Sequence, residues 1–223
     1  MPPDYSVVMA VHDGASMLGE ALRSIGSQRH PPQLVIVVDD GSTDDVRPVV
    51  KEARLRVNLI HQDHGGQAKA LNTGIGAVMT PLVGFLDHDD LWTDNHTEQL
   101  LRDWSPDVDA IFGGVVNRFM TVQGSHVDVN MGPSRLLGAA MFNVSFLRHV
   151  GPFAEDHRPH TIIEWWSRAM AQGGRIRHIP DTVLIRRIHG TNEGLRPSSR
   201  TRADLLKRVR EHRDRARTKR DAS

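Results

Sequence analysis

The sequence predicts an α/β protein on a mainly parallel sheet, and three features carry that prediction. Leu34-Val35-Ile36-Val37-Val38 and Leu82-Val83-Gly84-Phe85-Leu86 are short apolar runs of the kind that suits strands buried on both faces. Segments of helical periodicity alternate with such runs through the first hundred residues. Both runs open at their carboxyl ends into acids, Asp39-Asp40 and Asp87-His88-Asp89-Asp90. In parallel sheets, ligands collect beyond the carboxyl ends of the strands, at a switch in strand order.

Tyr5 to Val11 reads as the first strand, and Ser16 to Gln28 as a helix whose Met17, Leu18, Ala21, Leu22 and Ile25 share one face. After the strand at 34–38, the turn-forming Gly41-Ser42-Thr43-Asp44 precedes a helix over 45–54, and Val57 to His61 forms a short strand. Gly65-Gly66 introduces a helix over 67–79, followed by the strand at 82–86 and a polar-started helix directly after the acids. Beyond Trp104 the alternation loosens: extended structure over 110–122, a short helix at 144–150, a longer one at 161–172, and mostly strand over 175–188.

The acids are the most informative feature. Two carboxylates about 4 Å apart repel by roughly 4 kcal/mol at an effective dielectric of 20, so a cluster needs solvent or a cation. Hard oxygen ligands at a strand end suit Mg²⁺ or Mn²⁺, metals that commonly arrive with a phosphate-bearing ligand. A single acid here would be read as a turn, with Asp90 or Thr93 capping the next helix. A second acidic strand end on the same rim favours a site, with Asp39 and Asp40 offered to a base or ribose and Asp87 and Asp89 to the metal.

The 223 residues, 39% hydrophobic and 25% charged, suffice for one sizeable core. There is no cysteine, which excludes disulfides and thiolate metal sites and agrees with a reducing compartment. The first residues lack a basic start and an apolar signal core, and no run approaches 18 apolar residues, so a cytoplasmic protein is expected. Charge is uneven. Residues 196–223 hold 11 Lys or Arg against 4 Asp or Glu, leaving 17 against 23 in residues 1–195.

Four motifs occur in order: Ser6-Val-Val-Met-Ala-Val11-His12-Asp13-Gly14; Val38-Asp39-Asp40-Gly41-Ser42-Thr43-Asp44; Gly65-Gly66 with Ala70-Leu71-Asn72-Thr73-Gly74-Ile75; and Leu86-Asp87-His88-Asp89-Asp90-Leu91-Trp92. In this order they resemble the family-2 glycosyltransferases of the GT-A fold. The resemblance resumes at Val150-Gly151-Pro152-Phe153, at Trp165-Trp166-Ser167-Arg168-Ala169 and at Arg186-Arg187-Ile188-His189-Gly190-Thr191-Asn192.

That resemblance implies a nucleotide-diphospho-sugar transferase domain over 1–195, with a nucleotide-binding half at 1–105 and an acceptor half at 106–195. Residues 196–223 form a basic, partly helical tail. It implies a donor site in which Val11 and Asp13 line the nucleoside pocket, Asp40 accepts from the base beside Asp39, and Lys69 lies near the diphosphate. Leu71 stands where many relatives have arginine. Asp87, His88 and Asp89 match the Asp-x-Asp motif, with Asp87 and Asp89 on Mn²⁺ or Mg²⁺ and His189 completing the metal shell. Arg186 and Arg187 would close on the phosphates, the alternative being an edge strand with solvated side chains. Glu164 falls where relatives place the acceptor's base, with Glu155 and Asp156 as fallbacks. One of Trp165 and Trp166 would stack on an acceptor ring and the other pack in the core. The activity implied is inverting transfer of one sugar, expected from a UDP-sugar, to a hydroxyl or other nucleophile.

Other readings lack residues. Gly74-Ile75-Gly76 has no third glycine and follows a helix, no P-loop run exists, and His61-x-x-His64 and His157-x-x-His160 have no third ligand in pattern. The Gln-x-x-Arg-Trp signature of processive synthases is absent. A nucleotidyltransferase would show a Gly-rich basic loop where His12-Asp13-Gly14-Ala15 stands. A catalytically silent donor-binding scaffold would fit if Glu164 is no base. In the tail, Leu205, Leu206 and Val209 make a narrow apolar stripe on a basic helix. It suits docking on the acidic body or peripheral contact with anionic lipid at the inner face of a membrane. Without interleaved aromatics, nucleic acid is not expected as a partner.

Overall fold

The computed structural model describes residues 3–120, 126–155 and 161–189. In chain order they form β1 (Tyr5–Val11), α1 (Ala15–Gly26), β2 (Leu34–Asp40), α2 (Arg47–Glu52), β3 (Val57–Gln62), α3 (Gln67–Gly76), β4 (Leu82–Phe85), β5 (Leu91–Trp92) and α4 (His96–Arg102). There follow β6 (Ala110–Met120), β7 (His126–Pro133), β8 (Ala140–Asn143), α5 (Val144–Val150), α6 (Thr161–Ala171) and β9 (Ile176–Ile188). The basic tail, His157, His160, Asp156 and Gly190-Thr191-Asn192 lie outside the described residues.

Among the described residues the strands join one sheet in the order β3-β2-β1-β4-β8-β6-β9-β5, with β7 paired to β6. The first four are mutually parallel. β8 runs antiparallel to both β4 and β6, β6 and β9 are parallel, and β5 is antiparallel to β9. From β1 the chain steps outward through β2 to β3 and then returns to the other side of β1 as β4. That reversal is the switch in strand order where a parallel sheet opens a crevice.

Two-sided burial explains the unbroken apolar runs. On β2, Val35 and Val37 join a core with Leu18, Leu22 and Ile25 of α1, whereas Ile36 and Val38 join one with Ala70 and Leu71 of α3. Successive strand residues face opposite sides, so both need an apolar residue. The sheet thus carries α1, α2 and α4 on one face and α3, α5 and α6 on the other. Gly74 lets α3 approach closely, since a Cβ there would lie 2.4 Å from Val8 Cγ1.

Several elements differ from expectation. The helix predicted directly after the acids is delayed to His96, because Leu91 and Trp92 pair with Ile185 and Leu184 and bury the indole. Its cap position is Asn95, so neither Asp90 nor Thr93 caps it. The 45–54 helix shrinks to 47–52, where Asp45 Oδ1 accepts from the Arg47 amide and Pro48 fixes the first turn. The hairpin partner β7 and the short β8 lay hidden in an irregular stretch rich in Gly and Asn. Among the described residues, no helix is long and apolar enough to cross a membrane.

Candidate functional site

Because β1, β2 and β4 are parallel neighbours, Asp13, Asp39-Asp40 and Asp87-His88-Asp89-Asp90 emerge on one rim. Asp87 to Asp90 form a tight turn in which the Asp90 amide donates to the Asp87 carbonyl at 3.1 Å. The turn puts carboxylates at its first, third and fourth positions, with ligand oxygens of Asp87, Asp89 and Asp90 all within 4.8 Å of one another. At that spacing each charge pair repels by about 3–4 kcal/mol at an effective dielectric of 20. Crowding by the surrounding turn, which desolvates it although its side chain reaches solvent, and the Asp89 charge push the Asp87 carboxyl up, against lowering by His88, Arg186 and Gln67. Burial, reinforced by Asp87 and Asp89, pushes buried Asp90 to about 8 despite the Arg187 amide on its Oδ1.

His189 supplies a further donor. Its Nε2 stands 3.1 Å from Asp89 Oδ2. An octahedral ion with bonds of about 2.1 Å spaces adjacent ligand atoms by about 3 Å, so this pair has the separation of two neighbouring ligands. Three carboxylates and an imidazole suit Mg²⁺ or Mn²⁺ by donor type. Asp90, read from sequence as a helix cap, belongs to this group.

The remaining rim is built by interlocking loops. Asp13 takes a left-handed backbone (φ 51°), its Oδ1 accepts from the amide and hydroxyl of Thr43 at 2.7 and 2.9 Å, and its own amide donates to Ser42 Oγ. These two hydrogen bonds from Thr43 hold the Asp13 carboxyl below the usual range. Asp44 Oδ2 accepts from the Ala15 amide at 2.8 Å, placing a carboxylate at the start of α1. Ser42 to Asp44 thus bind the β1–α1 loop and do not cap α2. His88 packs its ring on Gly14, where a Cβ would come within 2.3 Å of it, which joins this loop to the acidic turn.

Asp40 differs most from expectation. Its Oδ1 accepts from Gln62 Nε2 (2.6 Å) and the Gly65 amide (2.9 Å), and its Oδ2 from the Gly66 amide (2.7 Å) with His64 Nδ1 at 3.0 Å. Three hydrogen bonds with the His64 ring beside them occupy most of the carboxylate, and the residue is buried, so Asp40 shapes the loop instead of facing an open pocket. Burial raises its pKa, but the hydrogen bonds from Gln62, Gly65 and Gly66 outweigh it and the carboxyl stays low. Asp39 is likewise turned inward, onto the Ser42 amide at 3.0 Å and His61 Nδ1 at 3.0 Å. Gln67, next to Gly66, donates to Asp87 Oδ1 at 2.9 Å and so couples the Asp40 loop to the acidic turn. The Lys69 side chain folds over Gly65 beside it, where a Cβ would lie 3.1 Å from its Nζ.

Three other expectations meet different geometry. Val11 is buried in the core on the α1 side, so its side chain cannot line a pocket. Arg187 is 8% exposed and points at α1 and the Asp89 carbonyl instead of the rim, whereas half-buried Arg186 lies close enough to lower both Asp87 and Asp90. Trp165 and Trp166 are both buried, 0% and 5% exposed, among Phe112, Phe142 and Phe153. Neither offers a face to an acceptor. Glu164 is exposed and gripped by Arg168 at 2.6 and 3.2 Å, while Glu155 accepts from Asn72 at 2.7 Å.

The family model described as Glycosyl transferase family 2 matches residues 6–150. A Nostoc sp. protein named uncharacterized glycosyltransferase alr2836 is 26% identical over 224 residues, covering 88% of this chain and 68% of that one. The putative glycosyltransferase EpsH of Bacillus subtilis is 30% identical over 112 residues, covering 49% and 33%. Among solved structures, S. aureus TarS 1–349 in complex with UDP-GlcNAc aligns with a TM-score of 0.67 at 18% identity, covering 87% of this chain and 61% of that chain. The mannosyltransferase PcManGT from Pyrobaculum calidifontis, solved with GDP-Man and Mn²⁺, gives 0.67 at 19%, covering 86% and 59%. The chain thus spans about three fifths of these solved chains, and the likeness establishes the GT-A fold.

Proposed function

This chain belongs to glycosyl transferase family 2, and from that membership we propose that it moves one sugar from a nucleotide diphosphate sugar to an acceptor nucleophile. The observation that carries the reading is the three-carboxylate turn of Asp87, Asp89 and Asp90 meeting His189 on the rim of the parallel strands. Asp87, Asp89 and His189 would hold a divalent cation. When bound, that ion neutralises the charge that builds on the departing nucleoside diphosphate. Arg186 adds a positive charge beside the same carboxylates, and Lys69 lies at the amino end of α3 on the same rim. Asp13 and the Ser42-Thr43 turn form the wall left for the nucleoside.

We take the donor to be a UDP-sugar and the displacement to be a single inverting step. The base is the finer assignment. Glu164 is paired through both oxygens with Arg168, which still leaves a lone pair on each oxygen for a proton. Glu155 favours a second reading: Asn72, which holds it, lies five residues along α3 from the Gln67 that bonds Asp87. In turnover assays, a loss of about 100-fold or more in Glu164→Gln with Glu155→Gln near wild type would keep the first assignment, and the reverse would move it.

The test of the function is binding followed by chemistry. A thermal-shift panel of UDP- and GDP-sugars should show stabilisation that needs Mn²⁺ or Mg²⁺, of a few kcal/mol at large ligand excess. Slow donor hydrolysis should follow and vanish in Asp89→Ala. Indifference to every nucleotide sugar with metal present would overturn the reading, and pyrophosphate release from a nucleoside triphosphate would replace it with nucleotidyl transfer.

A further inference from the structure

We infer that Arg187 is a positioning residue that ties the cation ligands to helix α1 through Glu20; this rests on the cation site proposed above. The acidic turn sits between β4 and β5 and has little regular structure of its own. Arg187 holds it twice. Its backbone amide donates to Asp90 Oδ1 at 2.9 Å, and its guanidinium Nε donates to the Asp89 carbonyl. One contact holds the Asp90 carboxylate and the other the Asp89 carbonyl, so Arg187 ties both a side chain and the backbone of the turn to β9.

The rest of the guanidinium faces α1. Nη1 pairs with Glu20 Oε2 and Nη2 lies 3.4 Å from the Met17 carbonyl. This helix is among the most firmly packed elements, with Leu18, Ala21, Leu22 and Ile25 no more than 2% exposed. Glu20 lies 167 positions from Arg187 in sequence, yet it supplies a carboxylate partner to that buried cation. Neighbouring strand residues point to opposite sides, so one arginine of the pair can face α1 while Arg186 keeps its charge near the carboxylates. Planarity matters here. A guanidinium serves the Asp89 carbonyl, the Glu20 carboxylate and the Met17 carbonyl together from one rigid fork, which an ammonium cannot reproduce.

Charge alone gives the opposite expectation, which makes the inference testable. Removing a cation from beside a cation site should tighten metal binding, whereas loss of a positioning group should weaken it. Mn²⁺ binding would be measured from the free-ion paramagnetic resonance signal in full-length wild type, Arg187→Lys, Arg187→Met and the Glu20→Met/Arg187→Met double variant, each checked by thermal melting. The double variant guards against misreading a fold defect, because removing the exposed Glu20 together with Arg187 leaves neither charge without its counterpart. We expect Mn²⁺ affinity to fall about tenfold or more in all three, including a double variant that melts like wild type. Wild-type or tighter affinity in a well-folded double variant would reduce the contact to plain scaffolding and overturn the inference alone. A wild type that binds no Mn²⁺ would overturn the cation reading itself, and this inference with it.

Discussion

His189 Nε2 and Asp89 Oδ2 stand 3.1 Å apart although 100 positions separate them in the chain. The contact joins the end of β9 to the acidic turn after β4 and brings a nitrogen ligand to an oxygen cluster. With a cation between them, both would lend a lone pair to one ion. His189→Ala should therefore weaken Mn²⁺ by about tenfold or more, and Asp89→Ala should abolish measurable binding. Calorimetric titration with Mn²⁺ checks both. Equal affinities in His189→Ala and wild type would remove the histidine from the shell.

The raised carboxyls predict how the metal-free protein responds to pH. Asp90 has a folded pKa near 8 against an unfolded value near 3.8, so the folded state holds the extra proton between them. Its contribution is complete below the unfolded value and is lost as pH rises through about 8. Asp87 is shifted the same way. Buried His96 opposes them at lower pH: burial depresses it to about 3, so its stabilisation is present above 6.5 and lost as pH falls toward 3. The window from pH 6.5 to 8 therefore isolates the acids. Unfolding free energy of the metal-free protein should drop by about 1–2 kcal/mol across it. Denaturant melts at both pH values test this, and saturating Mn²⁺ or Asp90→Asn should flatten the drop.

Asp40 makes the opposite prediction. Its carboxyl is held low by the Gln62, Gly65 and Gly66 donors, so its stabilisation is present above the unfolded pKa and fades as pH falls through the depressed folded value. Asp40→Ala leaves those amides without their acceptor, which should cost about 2–4 kcal/mol and loosen the Gly65-Gly66 turn that leads into α3. Chemical denaturation gives the cost, and faster amide exchange at Gly65 and Gly66 gives the cause. Unchanged exchange would show that the loop does not need this carboxylate.

What was legible in the sequence was what is local. The unbroken apolar runs of β2 and β4 and the acids at their ends follow from two-sided burial and from topology, and both are written in consecutive residues. Hidden were the contacts made across the fold. Nothing near Arg187 announces Glu20, and nothing in Asp39-Asp40 reveals that Gln62 at the end of β3 and the Gly65 and Gly66 amides take up Asp40. Asp90 was visible as the third acid in four positions, but a helix expected directly after it suggested a cap. The pairing of Leu91 and Trp92 with β9 displaced that helix and freed the carboxylate for the cluster. Trp165 and Trp166 share a helix and could each have faced either way. The aromatic core of Phe112, Phe142 and Phe153 decided the matter, and those residues come from three separate segments.

The two tryptophans give the remaining prediction, and it separates packing from recognition. Trp165 donates its indole N–H to the Gly151 carbonyl at 2.8 Å, so it fastens α6 to the turn after α5 as well as filling the core. Trp166 is buried with its indole nitrogen unpartnered, which makes its ring replaceable by another apolar ring at smaller loss. Trp165→Phe should cost about 1–3 kcal/mol more than Trp166→Phe in denaturant melts, since it strands a buried carbonyl and shrinks the ring at a packed site. Neither change should alter the acceptor KM in transfer assays at a temperature where the variant is folded. A raised acceptor KM in Trp166→Phe without loss of stability would return that residue to the acceptor site.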